Sequence, residues 1–114
     1  MAKSKEELAS LKCVPCRGDQ PPLEEGKIKL FLKAVPDWKK SEGTVDKIER
    51  QFKFKNFRES MKFVNKVAEI AEEEGHHPDI FISWNKVKLT LWTHAISGLF
   101  DNDFILAAKI DEVT

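Results

Sequence analysis

The chain has 114 residues, with 19 lysines and arginines balanced by 19 aspartates and glutamates, so its formal net charge is zero. That length supports one hydrophobic core, and a neutral chain has no long-range positive field to gather phosphates, which argues against nucleic acid as a partner. With 41% hydrophobic residues and no apolar run near the roughly 20 positions of a membrane span, the composition is that of a soluble globular domain.

The opening MAKSKEELASLKC lacks the apolar core and small-residue cleavage site of a secretory leader, so a cytoplasmic location is expected. Cys13 and Cys16 form a CVPC pair. Thioredoxin-type chemistry wants such a pair where a strand enters a helix, and structural zinc wants a second ligand pair; neither context follows. A surface or packing role, with no metal, is the expectation. Gly18, Pro21 and Pro22 interrupt regular structure, so residues 1–22 read as an arm lying on a single domain of residues 23–114.

Within that domain Ile28, Phe31, Leu32 and Val35 recur at helical spacing and Pro36 stops them, which predicts a helix over 24–34. WKKSEGTVDKIERQFKF predicts a hairpin with a turn at Ser41 to Gly43 and a second strand placing Ile48, Arg50, Phe52 and Phe54 on one face. In NFRESMKFVNKVAEIAEEEG, Asn56 is a cap, Glu59 its capping-box partner and Gly75 a left-handed stop. Phe57, Met61, Val64, Val67, Ala68 and Ala71 form the apolar stripe of this helix. About eighteen residues at 1.5 Å each reach roughly 27 Å, enough to cross a small sheet.

IFISW and KVKLTLWTH predict a second hairpin turning at Asn85 and Lys86. Alternation sends Val87, Leu89 and Leu91 to the core, and Lys88, Thr90, Trp92 and His94 to the other face. DNDFILAAKIDEV predicts a last helix, with Asp101 or Asn102 at its cap and Phe104, Ile105, Ala108 and Val113 inward. The order α-β-β-α-β-β-α implies an α+β fold, a four-stranded antiparallel sheet with helices packed on one face. Its other face must meet water or another subunit, and a bare Trp92 there points to a homo-oligomer.

All three histidines, His76, His77 and His94, lie in GHHPDIFISWNKVKLTLWTH. An antiparallel hairpin brings its outer ends together, so His94 should return beside His76 and His77. Pro78 biases His77 toward an extended backbone, giving the pair a reproducible exit from the helix. Imidazoles ordinarily titrate near pH 6.5, which suits proton exchange with a substrate. Glu72, one helical turn before His76, is placed to orient a ring or hold it protonated. The rival readings are plain capping of a helix and a strand end, and a zinc site. Against zinc, adjacent histidines on extended backbone point to opposite sides.

The pattern E-x3-H-H-P-x5-W-x9-H-x8-D, filled by Glu72, His76, His77, Pro78, Trp84, His94 and Asp103, resembles the pterin-4a-carbinolamine dehydratases. The resemblance spans roughly residues 23–114, and the arm with CVPCRG resembles the N-terminal extension of microbial members. It implies a cofactor-free hydro-lyase that removes water from a 4a-hydroxytetrahydropterin, gives the quinonoid dihydropterin and so recycles a tetrahydropterin cofactor. His76, His77 and His94 would be catalytic, one of His76 and His94 protonating the hydroxyl while His77 accepts a proton from N5. Glu72, Pro78 and Asp103 would support them, and Gly75, Trp92, Thr93 and Ala95 match the pterin-contacting segments. Asp103 reads equally as a first-turn acid of a helix.

Animal members carry an acidic residue at Gly75, a small hydroxyl residue at Trp92, an acidic one at Ala95 and an arginine at Asn102, so contacts around the pterin side chain differ here. A homodimer or homotetramer is also implied. Two other functions compete. One is a non-catalytic binding or dimerisation module, the role animal members play for a homeodomain transcription factor; it would not require the intact histidine set. The other is a protein acting on another pterin, for example in molybdopterin metabolism.

Overall fold

The computed structural model describes residues 3–15, 18–41 and 43–114. Cys16 of the CVPC pair and Glu42 of the first predicted turn lie outside the described residues. In chain order the elements are α1 (Lys5–Ser10), α2 (Glu25–Ala34), β1 (Lys39–Lys40), β2 (Ile48–Lys53), α3 (Phe57–Glu74), β3 (Asp79–Ser83), β4 (Lys86–Leu91), a 3-10 turn (His94–Ile96) and α4 (Asp101–Asp111). The four strands form one antiparallel sheet in the order β1-β2-β4-β3, the α+β architecture expected.

Register decides what the sheet buries. Ile48 pairs with Leu91, Arg50 with Leu89 and Phe52 with Val87. Ile48, Phe52, Val87, Leu89 and Leu91 are all buried, the inward set of a period-two pattern. On the solvent face Lys88 pairs with Glu49 at 3.2 Å. Arg50 is the charged member of the inner face, and Asp111 at the end of α4 answers it at 2.6 Å. The second hairpin turns at Trp84 and Asn85, one residue earlier than expected. Trp84 takes a φ of 51° there, a left-handed conformation that removes it from the strand.

Asn56 caps α3 by accepting the Glu59 N–H at 2.9 Å. Glu59 does not return the bond; its carboxylate lies 3.8 Å from Lys62, so half of the predicted box forms. The buried face of α3 is Ser60, Phe63, Val64, Val67 and Ala71, while Phe57 and Ala68, expected inside, are exposed. The rotation lets Phe63 meet Phe52 and Phe54, with ring centroids 4.6 and 5.1 Å away. Such aromatic contacts outweigh burying an alanine methyl.

Two corrections concern the chain's ends. The arm contains a helix that the pattern reading missed: Ser4 and Glu7 form a reciprocal capping box at the start of α1, and Leu8 and Ala9 bury themselves against α4. With α1 added, α4 is covered from several directions. Phe104, Leu106, Ala107, Ala108 and Ile110 are all fully buried, the pattern of a central helix rather than an amphipathic one. Phe104 stacks on Phe31 of α2 at 4.8 Å. The cap of α4 is Phe100, with Asp101 and Asn102 as its first helical residues; Asp103 does the capping, accepting the Phe100 N–H at 3.0 Å. Among the described residues no helix is long and apolar enough to cross a membrane.

Candidate active site

The site begins where α3 stops. Gly75 has φ 64° and ψ 27°, a conformation that glycine adopts without a side-chain clash, and the His76 N–H closes the helix end on the Ala71 carbonyl at 3.2 Å. His76 and His77 then lead toward β3, and their rings go separate ways. His76 turns inward, its side chain 13% exposed, with Nε2 2.6 Å from Asp103 Oδ1. His77 turns outward and meets Glu72 Oε2 at 2.5 Å. Glu72 therefore serves His77, and the partner of His76 comes from α4.

Asp103 is fully buried and fully engaged. Its Oδ2 accepts from the Thr93 hydroxyl at 2.8 Å and the Phe100 N–H at 3.0 Å, and its Oδ1 faces His76. The carboxylate accepts from His76 Nε2, which leaves Nδ1 as the ring atom able to exchange a proton. The first-turn role and the site role of Asp103 are thus one arrangement: the oxygen that caps α4 sets the other oxygen for the histidine.

His94 heads the 3-10 turn after β4. The turn is closed by a two-residue bridge, the Thr93 N–H to the Gly98 carbonyl at 2.8 Å and the Gly98 N–H back at 3.4 Å. The exposed His94 ring lies on Trp92, with centroids 3.7 Å apart. Trp92 is further covered by Lys47, 4.5 Å above its ring, and its indole N–H reaches Asp79 at 3.2 Å. Its own chain therefore shields Trp92, which removes the bare-tryptophan argument for an oligomer. Exposed apolar side chains do cluster on and beside β3, where Ile80, Phe81 and Trp84 stand.

All three histidines line one cavity of about 570 Å³, a volume suited to a small bicyclic ligand. Gly75, Trp92, Thr93 and Ala95, the residues matched to pterin-contacting segments, line it too, and so does Pro78. Glu72 and Asp103 do not; they stand behind the rings they hold. Five lining residues were not foreseen: Cys13, Val14 and Pro15 from the arm, Glu74 from α3 and Asp79 from β3. Asn102, noted as a departure from animal members, is a sixth wall residue. No spacing signal marks the arm, because its link to the site runs through residues 61 and 88 positions away.

Cys13 is half-buried, and its thiol is pushed up from about 9 to about 12, first by burial and then by the neighbouring Glu74 carboxylate. A thiol held protonated in this way is not a nucleophile at neutral pH. Among the described residues no group of three or more histidine, cysteine, aspartate or glutamate side chains is arranged to hold a metal ion.

The fold is thus an α+β domain that gathers three imidazoles around one cavity, the inner one on a buried carboxylate. The family model for pterin 4 alpha carbinolamine dehydratase matches residues 21–113, and the chain belongs to that family. A protein of Alkaliphilus metalliredigens named "Putative pterin-4-alpha-carbinolamine dehydratase" is 46% identical over 92% of this chain and 94% of its own. One of Rubrobacter xylanophilus with the same name is 44% identical over 94% and 98%. Among solved structures, a transcriptional coactivator/pterin dehydratase from Brucella melitensis superposes with a TM-score of 0.77 at 35% identity, over 81% of this chain and 97% of its own. A pterin dehydratase-like protein described as a RuBisCO assembly factor in the alpha-carboxysome shares the fold, with a TM-score of 0.59 at 23% identity over 68% and 88%.

Proposed function

We propose that this protein is a 4a-hydroxytetrahydropterin dehydratase working by histidine acid–base catalysis, and that it recycles a tetrahydropterin cofactor. The observation that carries this reading is the convergence of His76, His77 and His94 on one cavity, with His76 anchored to buried Asp103. Elimination breaks the C4a–O bond and makes a C4a=N5 double bond. The hydroxyl leaves as water once protonated, and N5 gives up its proton. His77, backed by Glu72, accepts the N5 proton; His76 or His94 delivers one to the hydroxyl. Each such transfer contributes typically 10²–10⁴-fold. Gly75, Trp92, Thr93 and Ala95 hold the flat ring, with backbone groups at its polar edge and Trp92 beside His94 as an aromatic surface.

The test follows the absorbance change as enzymatically generated 4a-hydroxytetrahydrobiopterin loses water in chelator-treated buffer. Wild type should accelerate the loss, and His77→Ala and His94→Ala should each be slower by at least about 10²-fold while still folded. Equal rates for all three proteins and buffer would remove the assignment.

A protein-binding role is the second reading, favoured by the exposed Phe81 and Trp84 and by the coactivator and assembly-factor descriptions of two structural relatives. It predicts wild-type binding to a partner with no turnover. The proposal includes a homodimer or homotetramer, supported by the outer edge of β3 with its exposed Ile80 and Phe81. Sedimentation showing only monomer at micromolar concentration would exclude it.

A further inference from the structure

The arm is docked before and after it passes the cavity. At its start Leu8 is buried against α4, and Lys109 Nζ donates to the Ala9 carbonyl at 2.8 Å. At its end the Leu23 N–H donates to the Leu99 carbonyl at 2.9 Å, and Pro22 lies so close to Gly98 that a Cβ there would sit 2.6 Å from the proline. Between these points Cys13, Val14 and Pro15 line the cavity that holds the three histidines.

What fixes that crossing is a latch made to backbone atoms. The Asn102 side-chain amide takes both polar groups of Val14: Oδ1 accepts its N–H at 2.9 Å and Nδ2 donates to its carbonyl at 2.6 Å. Glu74 Oε1 accepts the Cys13 N–H at 2.8 Å, and Glu74 itself is held 3.7 Å from Lys109. Asn102 is 3% exposed, so breaking the latch strands a buried amide. An asparagine carries a donor and an acceptor side by side, the set needed to pair with one residue's N–H and C=O. Because the latch engages only the backbone of Val14, a residue 52% exposed, its side chain is left to the cavity wall.

We infer that residues Cys13–Pro15, latched by Asn102 and Glu74, form a specificity-determining wall of the ligand site. This rests on the pterin reading above. Val14 and Pro15 offer apolar contact and no side-chain hydrogen bond, so the wall selects by shape. It sets ligand affinity and the choice among pterins that differ in their ring substituent, and the proton transfers stay with the histidines. Asn102 and Val14 are positioning and specificity residues, and neither is a catalytic one.

The experiment uses the full chain and three variants. Asn102→Ala opens the latch; Asn102→Asp keeps the acceptor for the Val14 N–H and loses the donor; Val14→Asp leaves the latch intact and charges the wall. Turnover is measured with 4a-hydroxy derivatives of tetrahydrobiopterin and 6-methyltetrahydropterin, affinity with 7,8-dihydrobiopterin, and the Val14 amide by hydrogen exchange. Asn102→Ala and Val14→Asp should raise KM by roughly 5- to 20-fold, with kcat within about twofold and a changed preference between the two substrates. Asn102→Asp should fall between, and only the Asn102 variants should speed exchange at Val14.

Wild-type KM and preference in both Asn102→Ala and Val14→Asp would overturn the inference. So would a fall in kcat at constant KM, since that would make the arm a prop for the histidines. A wild type that neither binds dihydrobiopterin nor turns over either substrate is a separate outcome, which removes the pterin reading and the inference with it.

Discussion

Asp103 Oδ1 lies 2.6 Å from His76 Nε2 across 27 residues of sequence, and the same carboxylate caps α4 and accepts the Thr93 hydroxyl. One buried group thus ties the end of α3, the end of β4 and the start of α4 together at the cavity.

Asp103→Asn keeps the volume but presents an amide to three donors. The His76 ring loses its charged acceptor, so its tautomer and orientation are no longer set. Turnover of the proposed substrate should fall on the order of 10²-fold, more than the thermal shift accounts for. An activity loss matched by a proportionate loss of folded protein would reduce Asp103 to a helix cap.

Asp111 is a purely structural counterpart. Its side chain is buried at the far end of α4, with Arg50 at 2.6 Å, the Trp38 indole N–H at 2.9 Å and Lys5 at 3.6 Å. Asp111→Ala leaves the partly buried guanidinium with only the more exposed Asp37, 3.8 Å away, and should cost about 3 kcal/mol, the lower end for a broken buried pair because Arg50 keeps that contact and some solvent. Urea unfolding should show a lower midpoint with an unchanged slope, and KM of the folded protein should be unaffected.

Gly98→Ala tests the return of the arm. The new methyl would meet Pro22 at 2.6 Å, and a proline ring has little freedom to yield. A destabilisation of about 1–3 kcal/mol is expected, visible as a lower melting temperature and faster exchange at the Leu23 amide. An unchanged melting temperature would mean that the segment shifts without cost.

The raised pKa of Cys13 has two consequences. Peptide-resolved alkylation with iodoacetamide at pH 8 should leave Cys13 largely unmodified in the folded protein and label it fully in urea. The folded pKa, about 12, lies above the ordinary thiol value, so the neutral thiol's contribution to stability is fully present below about pH 9 and lost as pH rises toward 12. Cys13→Ala should flatten that alkaline decline. Equal alkylation of folded and unfolded protein would contradict the burial.

Local patterns were legible wherever a few neighbouring residues decide the backbone. Asn56 and Gly75 bracket α3 as their capping chemistry requires, and the alternation of Val87, Leu89 and Leu91 places the inner face of β4. Convergence of the three histidines followed from the same logic, because a hairpin returns its ends to one place. The Ser4 and Glu7 box at the start of α1 is equally local, but Gly18, Pro21 and Pro22 that follow give the segment the pattern of an irregular arm. The stripe of α3 was misplaced at Phe57 and Ala68 because helical spacing gives a periodicity, while the sheet beneath chooses which flank sinks.

The partner of each ring and the far wall of the cavity belonged to the tertiary structure. Glu72 is four residues from His76, yet it binds His77, because the left-handed turn at Gly75 swings His76 inward to Asp103. Val14 and Asn102 are 88 positions apart and share two hydrogen bonds. Spacing along a chain encodes contacts within a turn of helix or a strand pair, whereas contacts this distant exist only once α1 and α4 have packed and brought the arm across the site.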